Sequence, residues 1–263
     1  MDLQLNGKRA LVTGASKGLG HATAKGLAME GARVAINSRD VDALNNAAEK
    51  LASETGSEVI ALPGDVTDPK VPGQLVHRVT EAFGGLDILV TNSGGPPAGK
   101  FEEFDDEAWQ NAVELNLLSH VRLIRAALPY LRHSPDASVL TITSMTVKQP
   151  IPSLVLSNSV RAATVGLTKT LALELGQDGI RFNSILPGWT ETERVYNLMS
   201  HRASLNGTSV EEEIQKQAQE SPLGRMGQPE EFANAAVFLV SPAASYITGV
   251  MLTVEGGMYK GTL

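Results

Sequence analysis

The chain has 263 residues, 42% of them hydrophobic, and a formal net charge of −7 at pH 7. That content supports one large domain with a substantial core, while the acidic balance argues against nucleic-acid or anionic-membrane partners, which call for clustered positive charge. The absence of cysteine excludes disulfides, thiolate nucleophiles and thiolate metal sites.

The N-terminal stretch MDLQLNGKRALVTG lacks the basic-then-apolar pattern of a secretion signal, and no apolar run is long enough to span a bilayer. A soluble, cytoplasmic protein is expected. The first β-rich run, RALVTG, leads through ASKGLG into a helix expected over 18–30. Gly14, Gly18 and Gly20 let the chain turn tightly and approach a diphosphate, and the helix N-terminus supplies N–H donors and partial positive charge. The second strand is RVAINS. An acidic side chain at its end would bind a ribose 2′-hydroxyl and repel a 2′-phosphate. This chain has Ser38 and Arg39 there, with Lys17 in the glycine loop. Two cations near the adenosine ribose favour NADP(H) over NAD(H); the plainer alternative is two solvated surface charges.

A helix expected over 41–55 precedes the strand EVIALPG. Asp65 follows, placed either to accept from an adenine amino group or to cap a helix. A helix over 69–83 and the strand DILVTN come next, ending at Asn92 beside the glycine turn. One helix is expected over 102–132, then the strand SVLTIT, a helix over 156–176 and the strand RFNSILPG. The polar segment from Thr190 to Pro222 breaks the alternation and is expected to form short helices, a lid over the substrate. A helix over 228–240, with Pro229 and Glu230 in its first turn, leads to the last strand, MLTVEGG. Nearly continuous apolar strands alternating with helices predict a single doubly wound α/β domain of Rossmann type spanning 1–263. Its parallel sheet has about seven strands, with helices on both faces.

Together these pieces resemble the short-chain dehydrogenase/reductase family, most closely its β-ketoacyl-carrier-protein-reductase-like members, from about Leu5 to Gly257. TGASKGLG is similar to the family's cofactor loop and implies contacts from Gly14, Ser16, Lys17, Gly18, Leu19 and Gly20. PGDVTD implies Asp65 and Val66, and TNSGG, where the family usually has Asn-Asn-Ala-Gly, implies Asn92. LNLLSH supplies Asn116 and TITSM supplies Ser144, both matching members of the family's catalytic tetrad. LPGWTET resembles the Pro-Gly turn beside the nicotinamide, with Pro187, Gly188 and Thr192. SYITGVMLTVEGG resembles the C-terminal strand that often joins a tetramer interface, so a homo-oligomer, dimer or tetramer, is expected. The resemblance implies a small-molecule carbonyl substrate, with a β-ketoacyl thioester as its guess.

The family's Tyr-x-x-x-Lys should begin thirteen residues after the tetrad serine, where this chain has Ser157 and, four residues on, Arg161. Tyr130, Tyr196, Tyr246 and Tyr259 all lie off that helix. A serine hydroxyl is shorter and far less acidic than a phenol, so Ser157 suits orienting a water rather than giving up a proton. Arg161 stays protonated, and suits holding ribose hydroxyls and supplying charge. General acid catalysis is worth about 10²- to 10⁴-fold, so an efficient enzyme needs another donor. Ser144, Lys148, Tyr196 and a water relay held by Asn116 are the candidates. Two readings follow: an oxidoreductase with a divergent proton-transfer site, or a catalytically silent NADP(H)-binding regulator or oligomer partner. No histidine shows metal-ligand spacing, and Trp109 and Trp189 read as packing residues, although Trp189 follows the Pro-Gly turn.

Overall fold

In the computed structural model, which describes residues 1–262, each of the seven expected runs supplies one strand of a parallel sheet. The strands are β1 (Arg9–Val12), β2 (Arg33–Ser38), β3 (Val59–Pro63), β4 (Ile88–Thr91), β5 (Ser138–Ile142), β6 (Arg181–Pro187) and β7 (Met251–Val254). Their spatial order is 3-2-1-4-5-6-7. Successive side chains point to opposite faces, and both faces are covered. On one face Val12, Ile36 and Val90 meet Leu27, Leu44 and Phe232 from α1 (Gly18–Met29), α2 (Val41–Thr55) and α9 (Pro229–Val240). On the other, Leu11, Leu89 and Val139 meet Leu75, Leu123 and Ala172 from α3 (Val71–Phe83), α5 (Ser119–Leu131) and α6 (Val155–Leu175).

The sequence pattern predicts one helix over 102–132, and here the structure differs. Phe101–Glu103 form a separate 3₁₀ turn. The Asp105 carboxylate then accepts from the Ala108 N–H and starts α4 (Asp106–Val113) afresh. Glu114–Leu118 form a wider π turn before α5 begins. The expected lid segment holds α7 (Glu193–Asn206) and α8 (Val210–Gln219). At its base the Glu191 N–H donates to the Gly227 carbonyl (2.9 Å) and the Gly227 N–H to the Trp189 carbonyl (3.0 Å). The two ends of the excursion therefore leave the body of the fold side by side.

β1 and β4 are neighbours, but the chain winds outward from them in opposite directions. A crevice opens beyond the carboxyl ends of strands at such a switch point. Among the described residues no helix is long and apolar enough to cross a membrane.

Candidate active site

A cleft of about 1040 Å³ occupies that crevice. The loop after β1 contributes Gly14, Ser16, Lys17, Gly18 and Leu19 to its wall. Gly14 and Gly18 have φ of 58° and 64°, a region that side chains with a Cβ avoid. Asn92, also on the wall, donates from Nδ2 to the Gly14 carbonyl at 3.0 Å, and the Thr13 hydroxyl donates to the Asn92 carbonyl at 2.7 Å. These bonds fasten the loops after β1 and β4 to each other. Gly20 departs from expectation: among the described residues it is absent from the wall. A Cβ there would lie 2.4 Å from the Gly14 carbonyl oxygen, so its role is to let α1 close onto the loop.

Ser38, Arg39, Asp65 and Val66 form the next part of the wall. Arg39 Nη1 lies 3.7 Å from an Asp65 carboxylate oxygen. Asp65 also accepts from the Thr67 N–H (3.0 Å) and hydroxyl (2.8 Å), which makes it the organiser of a tight turn. It caps no helix, since α3 starts further on, at Val71. Lys17 departs from the sequence reading, which put it with Arg39 at the ribose. Its ammonium instead donates to both carboxylate oxygens of Glu193 on α7, at 2.9 and 2.8 Å. The cleft fits a dinucleotide by size, by the glycine cradle at one end and by the cationic Arg39 beside Ser38. There the glycine loop and the N-terminus of α1 would hold the diphosphate, and Arg39 a 2′-phosphate.

At the other end stand Ser144, Ser157 and Arg161, with Pro187, Gly188 and Thr192 close by on the same wall. Ser144 lies two residues beyond β5, and its Oγ accepts from the Thr146 N–H at 3.2 Å. Ser157 and Arg161 are one turn apart on α6 and therefore share a face. Arg161 is 7% exposed. Its Nη1 donates to the main-chain carbonyls of Ile142 (3.3 Å) and Thr143 (3.0 Å), which anchors the guanidinium under the end of β5. Burial and, second, the charge of Arg194 push its pKa down to about 10, so it is still a cation at neutral pH.

The remaining candidates are placed differently. Asn116 lies off the cleft wall, in the π turn. Its Nδ2 donates to Ser93 Oγ (2.8 Å) and the Gly94 carbonyl (2.9 Å), and its own carbonyl accepts from the Thr164 hydroxyl (2.5 Å). Asn116 thus shapes the loop that lines the cleft, and its carbonyl is engaged by Thr164. Lys148 packs its ammonium against the Tyr259 ring, 5.2 Å from the centroid, away from the cleft wall. Tyr196 is 52% exposed and off the wall as well. Trp189 stacks under Arg202, with the guanidinium 5.2 Å from the ring centroid, and so packs against α7.

Two residues escaped the sequence reading. Arg194, in the first turn of α7, lines the cleft and donates to the Pro96 carbonyl at 2.7 Å. Although the residue is exposed, partial desolvation against the cleft wall lowers its pKa. The available signal was a cation in a helix first turn, where the macrodipole favours acids. His120, 1% exposed on α5, was seen only as one of five histidines. Burial, and then the charge of Arg161, push its pKa down to about 3. It is a neutral imidazole packed near the Arg161 cation.

Comparison with known proteins supplies the context for this geometry. The family profile described as Enoyl-(Acyl carrier protein) reductase matches residues 14–259. The chain is 34% identical to the 7α-hydroxysteroid dehydrogenase of Escherichia coli K12 over 256 residues, covering 97% of this chain and 96% of that one. The crystal structure of L-sorbose reductase from Gluconobacter frateurii, complexed with NADPH and L-sorbose, superposes with a TM-score of 0.95 at 37% identity, over 99% of this chain and all of that one. An NADPH-bound short chain oxidoreductase from Pseudomonas aeruginosa PAO1, described as containing an atypical catalytic center, gives a TM-score of 0.88 at 33% identity, over 96% and 97% of the two chains.

Proposed function

Because the chain belongs to the short-chain dehydrogenase/reductase family, and is thereby an oxidoreductase, we propose that it uses NADP(H) to interconvert a small-molecule carbonyl and alcohol. Its proton-transfer site is rebuilt around Ser144, Ser157 and Arg161. The observation that carries this reading is the single cleft in which the glycine cradle, Ser38 and Arg39 meet the hydroxyls of Ser144 and Ser157 and the Arg161 cation. Arg39 beside Ser38 supports the 2′-phosphorylated cofactor, as do the NADPH complexes of the Gluconobacter and Pseudomonas relatives.

When bound, the nicotinamide supplies or accepts the hydride. The protein's own share is polar. The Ser144 and Ser157 hydroxyls are short donors suited to a carbonyl oxygen or to a water beside it. Arg161, fixed by two main-chain carbonyls, offers positive charge to an oxygen that gains negative charge as the hydride arrives. Preorganised charge of this kind can replace much of what a proton donor contributes. The proton itself then comes from a water held by Ser157. Exposed Tyr246 and Leu252, the latter on β7, support assembly of several copies at this edge of the sheet.

The test is NADPH oxidation by the wild type, by Ser157→Ala and by Ser157→Tyr/Arg161→Lys, over ketones, aldehydes, sugars and β-ketoacyl thioesters. We expect the wild type to turn over at least one substrate, and Ser157→Ala to lose about 100-fold, the lower end of the general-acid range. Turnover only by the double variant would overturn the proposal and leave a protein that binds NADP(H) without using it.

A further inference from the structure

Besides Arg39, which pairs with Asp65, the cleft wall holds two guanidinium groups, Arg161 and Arg194, and among the described residues no carboxylate forms an ion pair with either. Arg161 has two main-chain carbonyls as acceptors and Arg194 has one. A guanidinium carries five N–H donors, so most of theirs are unspent. Arg161 is taken from water, Arg194 stands exposed on the same cleft wall, and the charge of Arg194 acts on Arg161. Burying the Arg161 cation without a counterion is costly, and a second cation on the same wall adds to that cost.

The nearby acids are committed elsewhere. Glu193, next to Arg194 in the chain, binds Lys17. Asp65 lies beside Arg39. Arg194 also sits at the start of α7, where the helix itself adds partial positive charge. Arg194 therefore brings charge to a place already positive, and packs its Nη2 against Gly95, where a Cβ would come within 2.8 Å. A cation set in an unfavourable field with no carboxylate partner has its compensation in what the cleft binds.

Building on the oxidoreductase reading, we propose that the substrate carries an anionic group, a carboxylate in the first instance, received by Arg194 in the part of the cleft it shares with Arg161. The fork of N–H donors on arginine matches a carboxylate in two-point contact. The hydroxyls of a nicotinamide ribose are neutral, so cofactor binding at Arg161 leaves its charge uncompensated. The cofactor does bring one rival anion, its diphosphate, and the experiment separates the two sources.

The probes are 2-, 3- and 4-oxopentanoate, each paired with its methyl ester, so that charge is removed while shape and carbonyl position are kept. Each is titrated by calorimetry into the NADP⁺-loaded protein and into the cofactor-free protein, and each is assayed by NADPH oxidation. At least one free acid should bind ten times more tightly than its ester. Arg194→Met should erase that ratio and Arg194→Lys, which keeps the charge, should restore part of it. Esters binding as well as acids at all three spacings would overturn the inference. So would an Arg194→Met variant whose NADPH affinity falls by the same factor as its acid affinity, which would assign the anion to the cofactor diphosphate. If neither NADP(H) nor NAD(H) binds, the oxidoreductase reading fails instead, and the cofactor-free titration still decides whether Arg194 receives an acid.

Discussion

The Lys17 ammonium bridges both carboxylate oxygens of Glu193 at 2.9 and 2.8 Å, joining the glycine loop to the first turn of α7. The two side chains are 69% and 59% exposed, so the pair adds little to stability, about 0–1 kcal/mol. Its effect is on binding, because it ties up a cation at the cofactor end. Glu193→Gln should leave the melting temperature within about a degree or two and tighten NADPH binding about two- to fivefold, with a steeper loss of affinity as salt rises. Fluorescence titration at two ionic strengths reads both effects. Unchanged or weaker NADPH binding would mean that Lys17 takes no part in holding the cofactor.

Arg39 stands beside Ser38 at the end of β2, where family relatives that prefer the non-phosphorylated cofactor are expected to carry an acid. Arg39→Asp removes a cation and adds an anion at that point. The ratio of NADPH to NADH affinity should fall at least tenfold, about 1.4 kcal/mol. An unaltered ratio would place the 2′-phosphate elsewhere.

Gly20→Ala puts a methyl group 2.4 Å from the Gly14 carbonyl oxygen and 2.8 Å from Asn92 Nδ2. Either α1 backs away or the loop opens. We expect a loss of about 1–3 kcal/mol from overpacking, seen as a lower denaturation midpoint, together with weaker binding of both NADPH and NADH. A variant as stable as the wild type would show that the loop yields without strain.

His120 sets an acid limit. Its pKa falls from the ordinary 6.5 to about 3 because burial and the Arg161 charge both oppose the imidazolium. Between those values the unfolded chain binds a proton that the native protein refuses. Stability therefore rises with pH through this window and drains away as pH falls below about 6.5, at up to about 1.4 kcal/mol per pH unit. His120→Leu removes the proton site. Its denaturation midpoint should change less between pH 7 and pH 4.5 than that of the wild type. Equal slopes would mean that the acid sensitivity lies in other groups.

The sheet was legible in the sequence because parallel strands buried on both faces must be apolar at nearly every position, as in ILVT of β4. The glycine loop was legible for a similar reason, since positive φ at Gly14 and Gly18 demands that residue type. What the sequence left open are contacts made across the fold. The partner of Lys17 is 176 residues away. Whether Gly20 faces a ligand or a helix depends on how α1 meets the loop. Arg194 reads as one more charge in a polar segment until α7 turns it toward the cleft. The break before Asp105 was encoded locally, in an N-cap residue whose acidic neighbours made the whole stretch look like one helix start.

The pairing of Glu191 and Trp189 with Gly227 makes the segment that carries α7 and α8 a detachable cassette. Because its entrance and exit coincide, the sheet is indifferent to how much chain is spent between them. Doubling the length of such an insert adds only about 0.6 kcal/mol of closure entropy. A different pair of helices can then be grafted onto the same two stems, replacing Arg194 and its neighbours in one step.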